Sequence, residues 1–526
     1  METTALHSLL PFPTLILTCT TFVVVVVVVF KATAADKKRH VDGRSDSGYP
    51  VIGNVVGLLR NRHRFLDWAS DMLSASPTST IRVHSFLNLT PPGVCTADPT
   101  NIDHLLRANF ANYVKGRRQA AALSDLLGRG IFVADGAAWL LQRKIASREF
   151  TTRSLRSFVV DVVGAEIRNR LLPFLSAAAD RGDVVDLQDV LSRFGFDNIC
   201  NLAFGTDPAC LDLGGRPAPS FVAAFDEAVQ ISYRRLLSPV PAIWKLKRAL
   251  NLGSERRLRE AIRVIDDYAA GIISSRRCHP GGVGQPQDLL SRFAACLEED
   301  AELRRSVGAE GCGEERFLRD IVVSFVLAGK DSTSAALTWF FWLLSENPFC
   351  ERRILSEIRK AFEPEAEGGR GGYEGLKQLH YLHAAVTEAM RLYPPVPINS
   401  RVAAGKDVLP DGTRVAAGWF ADYSAYAMGR SERVWGKGCG EYRPERWLNG
   451  EGEFAGEAEA ARFPVFHAGP RMCLGREMAY LQMKAVAASV LDRFVVEPVR
   501  KAGPPACELS VTLKMKGGFP VRVKRR

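Results

Sequence analysis

The segment at 317 to 346, FLRDIVVSFVLAGKDSTSAALTWFFWLLSE, constrains the chain more than any other. It is about eight turns of helical pattern with apolar residues on nearly every face, and a helix of that kind belongs in the middle of a large domain. A membrane span is the competing reading, but Lys330 and Asp331 stand at its midpoint, where each charge costs on the order of several kcal/mol in lipid. The chain can build such a domain: 526 residues, 47% hydrophobic and 24% charged, exclude a disordered, collagen-like or polytopic membrane protein. Helix-period patterns dominate, no internal repeat is visible, and polar stretches at 279 to 287, 363 to 375 and 449 to 460 read as surface loops. At 401 to 427, Pro410-Asp411-Gly412 lies between valine-bearing flanks and reads as the turn of a hairpin. The expected fold is mainly α with minor β.

From Ser8 to Phe30 no residue is ionisable, and positions 23 to 29 are all valine. As a helix this stretch is about 35 Å long, enough to span a bilayer core. A cleavable signal peptide would have a basic start and a shorter apolar core, whereas the only charge before this segment is Glu2. Lys31, Lys37, Lys38, Arg39 and Arg44 follow it, so the positive-inside rule puts the globular part in the cytosol. Residues 8–30 are thus expected to be a single-pass anchor and 31–48 a polar linker, with the folded domain running over 49–526. Eleven cysteines without CxxC pairs fit reduced, cytosol-facing thiols better than a disulfide framework. The net charge of +11 suits a membrane surface or an acidic protein, and no nucleic-acid reading module accompanies it.

Near the C-terminus stands FPVFHAGPRMCLGREMAYLQMKAVAASVL, where Phe466, Gly469, Arg471, Cys473 and Gly475 precede a helical pattern starting near Leu474. The two glycines permit tight turns, so that amides can aim at the Cys473 sulfur, and the following helix brings its positive end beside it. Both effects favour a thiolate, which is a strong axial ligand for haem iron, and Arg471 can pair with a haem propionate. His467 reads as an ordinary packed histidine, and His380 with His383, lacking a third partner, as no metal site.

In these residues the chain resembles the cytochrome P450 family, from about Tyr49 to the end. VTEAMRLYPPVP carries Glu388 and Arg391 at the spacing of the family's E-x-x-R, and Tyr442-Arg443-Pro444-Glu445-Arg446-Trp447 is similar to its P-E-R-F segment. The resemblance implies an ion network of Glu388, Arg391 and Arg446 that holds the thiolate loop. It also implies haem b (iron protoporphyrin IX), with Trp139, Arg143 and Arg401 near the propionates. Ala328-Gly329-Lys330-Asp331-Ser332-Thr333 resembles A-G-x-D-T-T, a small-residue step that opens a groove for dioxygen and is followed by a proton relay, here Asp331 and Ser332 with Thr333. Serine replaces the usual threonine, so the hydroxyl remains but the methyl that restricts its rotamer is lost.

Among P450s, LLGRGIFVADGAAWLLQRKIASREFTTRSLRSF, DLQDVLSRFGFDNICNLAFGTDPACL and LAGKDSTSAALTWFFWLLSENP resemble plant fatty-acid omega-hydroxylases and jasmonoyl–amino acid hydroxylases. That implies an endoplasmic-reticulum enzyme, with membrane lipid around its anchor, that hydroxylates the terminal carbon of a carboxylated chain. It would use O2 and electrons from NADPH through a separate NADPH-cytochrome P450 reductase. Val396, Ile398 and the 110 to 126 segment are expected to line the substrate tunnel, and Lys115, Arg117 or Arg118 to meet the carboxylate. Arg476, Lys484 and Lys144 are expected to form the reductase surface. The alternatives are a haem-thiolate isomerase or dehydratase of fatty acid peroxides, and a haem protein that binds a ligand without turnover.

Overall fold

Helix Glu314–Ser345 is the axis on which the rest is assembled. The computed structural model describes residues 54–84, 91–148, 150–211, 220–278, 288–299, 313–362, 372–456, 462–499, 503–508 and 510–526. The predicted anchor and linker, the 279 to 287 loop and parts of the other two loops lie outside the described residues. Among the described residues no helix is long and apolar enough to cross a membrane.

The long helix carries Glu314 and Glu315 in its first turn, where they face the positive end of the peptide dipoles. Beyond that turn it is buried on nearly every side, and Trp339 is fully enclosed, its Nε1 donating to Leu513 O at 2.8 Å and its ring stacked 3.9 Å from Tyr393. Helix Leu187–Phe204 crosses it closely. A Cβ on Gly195 would come within 2.8 Å of Lys330 O, and one on Gly329 within 2.6 Å of Ile199. That second helix starts at Asp186, whose Oδ1 accepts from the amides of Gln188 (3.0 Å) and Phe519 (2.8 Å), and stops at Gly205 with φ 55°. Helices His380–Leu392 and Arg476–Arg493 complete the core on the other side.

The sheet component is small. Five strands lie in the order Thr80–Val83, Gly93–Thr96, Phe420–Ser424, Ile398–Ala403 and Tyr113–Val114, antiparallel except where Gly93–Thr96 pairs parallel with Phe420–Ser424. The expected hairpin is two nested ones. Ile398–Ala403 pairs with Phe420–Ser424, and between them Asp407–Val408 pairs with Arg414–Val415 around a turn in which Gly412 has φ 84°. A three-stranded sheet of Val184–Asp186, Pro520–Arg525 and Phe494–Pro498 ties the C-terminus to the second helix. The chain is mainly helical with minor sheet.

Candidate active site

The Cys473 loop is held by its own backbone. Cys473 N–H donates to Phe466 O at 2.8 Å and Met472 N–H to Gly469 O at 3.0 Å. Gly469, with φ 64°, passes so close to Leu106 O that any side chain would overlap it. Gly475 needs correction: it has no positive φ and a Cβ there would meet nothing nearer than 3.5 Å, so what it contributes is its amide, aimed at the sulfur. Helix Arg476–Arg493 begins two residues later than the pattern placed it. Burial lifts the Cys473 thiol, while the Gly475 amide, Arg143 and Arg476 pull it back toward the thiolate. The sulfur faces an internal cavity of about 560 Å³.

Around the sulfur the cavity wall is cationic. Arg143 Nη2 donates to Met472 O at 2.6 Å, and Arg471 Nη2 to Ala134 O and Asp135 Oδ1, both at 2.8 Å. Arg471 lies 4.3 Å above the Trp139 ring. Arg401 is wholly buried and donates to Ser400 O at 3.0 Å, and among the described residues its Nε and Nη2, like Arg471 Nε, have no partner. Lys115 joins this group rather than the tunnel mouth. Burial, then Arg401 and Arg471, push its ammonium well below the ordinary lysine range, with Asp135 opposing. His467, at φ 61°, accepts or donates through Nδ1 to Tyr423 Oη at 2.6 Å, and burial with the same cations holds it neutral. Asp135 is the acid that offsets Lys115, Arg401 and Arg471. Its sequence signal was its place just before helix Gly136–Ser147.

Ala328, Gly329, Ser332 and Thr333 face the same cavity. Ser332 Oγ donates to Ala328 O at 2.6 Å, yet the helix stays regular α throughout. Asp331 is directed elsewhere, because one residue of helix turns a side chain by about 100°. It is buried, 2.8 Å from Lys330 Nζ and 3.4 Å from Lys514 Nζ, and Lys330 also binds Asp226 at 2.7 Å. Burial would raise the Asp331 carboxyl, but the two lysines outweigh it and hold it ionised below the ordinary range. The structure therefore does not bring Asp331 and Ser332 together at the cavity. Lys330 was legible as a charge at the midpoint of an apolar helix.

Behind the loop, Glu388 accepts from Arg391 through both oxygens at 2.7 Å, from Arg446 Nε at 3.2 Å and from Trp447 Nε1 at 2.9 Å. Lys484, expected on a docking surface, is buried, and its ammonium donates to Leu376 O at 2.5 Å with its pKa pushed down to about 8 chiefly by burial. Lys144 is exposed and Arg476 half-buried beside Glu477 at 3.2 Å. His380 Nδ1 accepts from Phe454 N–H at 3.2 Å, and His383 stacks between Phe454 and Tyr480.

The profile of the cytochrome P450 family matches residues 47–519. The chain belongs to the cytochrome P450 family. It is 45% identical to cytochrome P450 94B1 of Arabidopsis thaliana, over 93% of each chain. It is 44% identical to cytochrome P450 94A2 of Vicia sativa, over 91% of this chain and 90% of the relative. With cytochrome P450 CYP94D108 of Paris polyphylla it shares 42% identity, over 93% and 94%.

A P450 carries haem, and the cavity suits it. Unpartnered buried N–H groups on Arg401 and Arg471, with Lys115 and Arg143 beside them, need the two negative charges that a pair of propionates brings. The Cys473 sulfur, with an amide aimed at it, offers the thiolate. Phe466, Trp139 and Gly475 line the remaining wall.

Proposed function

We propose that this P450 is a membrane-anchored haem-thiolate monooxygenase that hydroxylates the terminal carbon of fatty acids or of jasmonoyl–amino acid conjugates. One observation carries the reading: a single, mainly apolar cavity is lined by Cys473, by Ser332 and Thr333, and by the Arg118 guanidinium. Haem bound there supplies activation of O2 and insertion of one oxygen atom into a C–H bond.

The chain's own residues do the rest. Cys473 would hold the haem iron through its sulfur, and Arg471, Arg401, Arg143, Lys115 and Trp139 would hold the propionates. Ser332 and Thr333 hold a proton at the cavity face. Asp331, one residue away behind the helix, is a carboxylate that joins the proton path when it exchanges a lysine partner for water. Val396 and Ile398 line the cavity, as do Leu123 and Leu126. A primary C–H bond is attacked in preference to its neighbours only if the chain is held end-on, and a narrow apolar channel does that. Of the three cations expected near the carboxylate, Arg117 is exposed, while Lys115 and Arg118 both line the cavity, Lys115 beside Arg401 and Arg471.

Residues 8–30 anchor the chain in the endoplasmic reticulum, with the domain in the cytosol. Helix Pro241–Ala249 and the turn after it support contact with lipid, since Ile243, Leu246, Leu250 and Leu252 are exposed there next to Lys245, Lys247 and Arg248. Electrons come from NADPH through a reductase that docks on the side of Lys144 and Arg476. The test is co-expression with a reductase in microsomes, with saturated and unsaturated fatty acids and jasmonoyl-isoleucine offered together. NADPH-dependent terminal hydroxylation of either class is expected. Conversion of neither overturns the substrate assignment, and product formed without NADPH favours the peroxide isomerase.

A further inference from the structure

The sheet has two polar faces. Strands Ile398–Ala403 and Phe420–Ser424 pair so that Ser400 sits opposite Asp422 and Asn399 opposite Tyr423, and Gly93–Thr96 sets Cys95 against Asp422 on the other side. Side chains alternate along a strand. Arg401 therefore shares a face with Tyr423, toward His467 and the cofactor cations, whereas Ser400, Phe420 and Asp422 share the opposite one.

On that second face stands an acid with one unsatisfied oxygen. Asp422 Oδ1 is shielded from water and, among the described residues, accepts no hydrogen bond. Burial pushes its carboxyl above the ordinary range, opposed by the Arg118 cation and then by the neighbouring Ser400 hydroxyl. The two charges do not touch. The Arg118 guanidinium instead packs 4.3 Å from the Phe420 centroid, Nη2 donates to Leu236 O at 3.3 Å, and Nη1 is buried without a partner. Gln119, next in the chain, pins this helix to the sheet by donating to Ser400 O at 3.0 Å. An unmatched buried acceptor is costly to leave desolvated, so a ligand in the cavity that meets both groups binds more tightly than one that meets only Arg118. Asp422, Arg118, Ser400 and Tyr233 all line the cavity.

We propose that Asp422 and Arg118 form a head-group station that selects acyl substrates in which an N–H or O–H donor lies next to the carboxylate, the carboxylate meeting Arg118 and the donor meeting Asp422. The station rests on the reading that the substrate is a carboxylated acyl chain. A plain fatty acid satisfies Arg118 alone, leaves Asp422 unmatched and brings a second negative charge beside it. The donor is an amide N–H in an N-acyl amino acid or a hydroxyl in a 2-hydroxy acid.

Calorimetric titration of the full-length holoenzyme with palmitate, 2-hydroxypalmitate and N-palmitoylglycine tests this. At least one of the two donor ligands is expected to bind tenfold or more tightly than palmitate, and whichever gains more identifies the donor. Asp422→Leu should bring that preference below threefold without weakening palmitate, and the shape-conserving Asp422→Asn should reduce it at least threefold if the leucine variant does not fold. Arg118→Gln should weaken all three ligands alike. A preference unchanged in the Asp422 variants, or an equal loss for palmitate and the donor ligands, overturns the station while leaving the acyl-chain reading intact. If the wild-type holoenzyme binds none of the three, the acyl-chain reading fails and the station with it.

Discussion

Ser332 is where the chain's oxygen chemistry departs from the family pattern, and its hydroxyl is committed to Ala328 O at 2.6 Å. A serine rotates more freely than a threonine, because threonine's branched Cβ restricts χ1. Ser332→Thr is therefore expected to raise the product formed per NADPH consumed, and Ser332→Ala to lower the hydroxylation rate by about 10²-fold or more while NADPH is still oxidised. Measuring product, NADPH and peroxide together separates the two, and an unchanged ratio in both variants removes Ser332 from the proton path. His383 offers a second test at this scale. Burial first, then Lys484, Arg476 and His380, lower its pKa to about 3 from an ordinary 6.5. A histidine whose folded pKa is depressed is neutral in the fold, so its contribution is fully present above pH 6.5 and drains away as pH falls toward 3. Urea midpoints of the wild type should drop across that window by at most about 1.4 kcal/mol per pH unit. His383→Phe, which keeps the stack with Phe454 and Tyr480, should flatten that part of the curve.

Elements are held together by pairs that leave no slack. Glu388 takes hydrogen bonds from Arg391, Arg446, Trp447 and the Arg443 amide with no exposure to water. Glu388→Gln leaves two guanidinium groups without a counter-charge and should cost about 3–5 kcal/mol, read from denaturant unfolding of the holoenzyme. A cost below about 1 kcal/mol would mean the network is dispensable to the loop it supports. This network was legible because E-x-x-R places both groups on one helix face and P-E-R-W supplies the third. The long helix and the Cys473 loop were legible for similar reasons, one from its all-round apolar pattern and the other from its glycine spacing. The direction of Asp331 was not, since a motif fixes neighbours in sequence and the partners that turned this carboxylate away, Lys514 and Asp226 through Lys330, come from remote segments. Lys484 misled for the opposite reason, because a lysine in an otherwise apolar helix can be buried when a carbonyl such as Leu376 O receives it. Gly329 suggested a groove for oxygen, and its absent side chain also makes room for Ile199 on the crossing helix.

At the scale of the whole molecule, the exposed leucines after helix Pro241–Ala249 and the predicted anchor have to meet the same bilayer. A polarity-sensitive dye on Leu246→Cys should shift its emission toward the blue when the full-length protein enters nanodiscs, and the same dye on Val408→Cys, exposed at the tip of the small hairpin, should serve as the comparison. Equal shifts at both sites would remove helix Pro241–Ala249 as a membrane contact. The same molecule holds Lys115, Arg143, Arg401 and Arg471 around one cavity, with Asp135 as the counter-charge to Lys115, Arg401 and Arg471. Before the porphyrin arrives those like charges push against one another in a poorly screened interior, and any ligand that binds only the folded form draws the folding equilibrium toward it. Cofactor supply then governs more than catalysis. A cell short of porphyrin would make this polypeptide and lose it to proteolysis, so that enzyme abundance follows haem synthesis without any dedicated sensor.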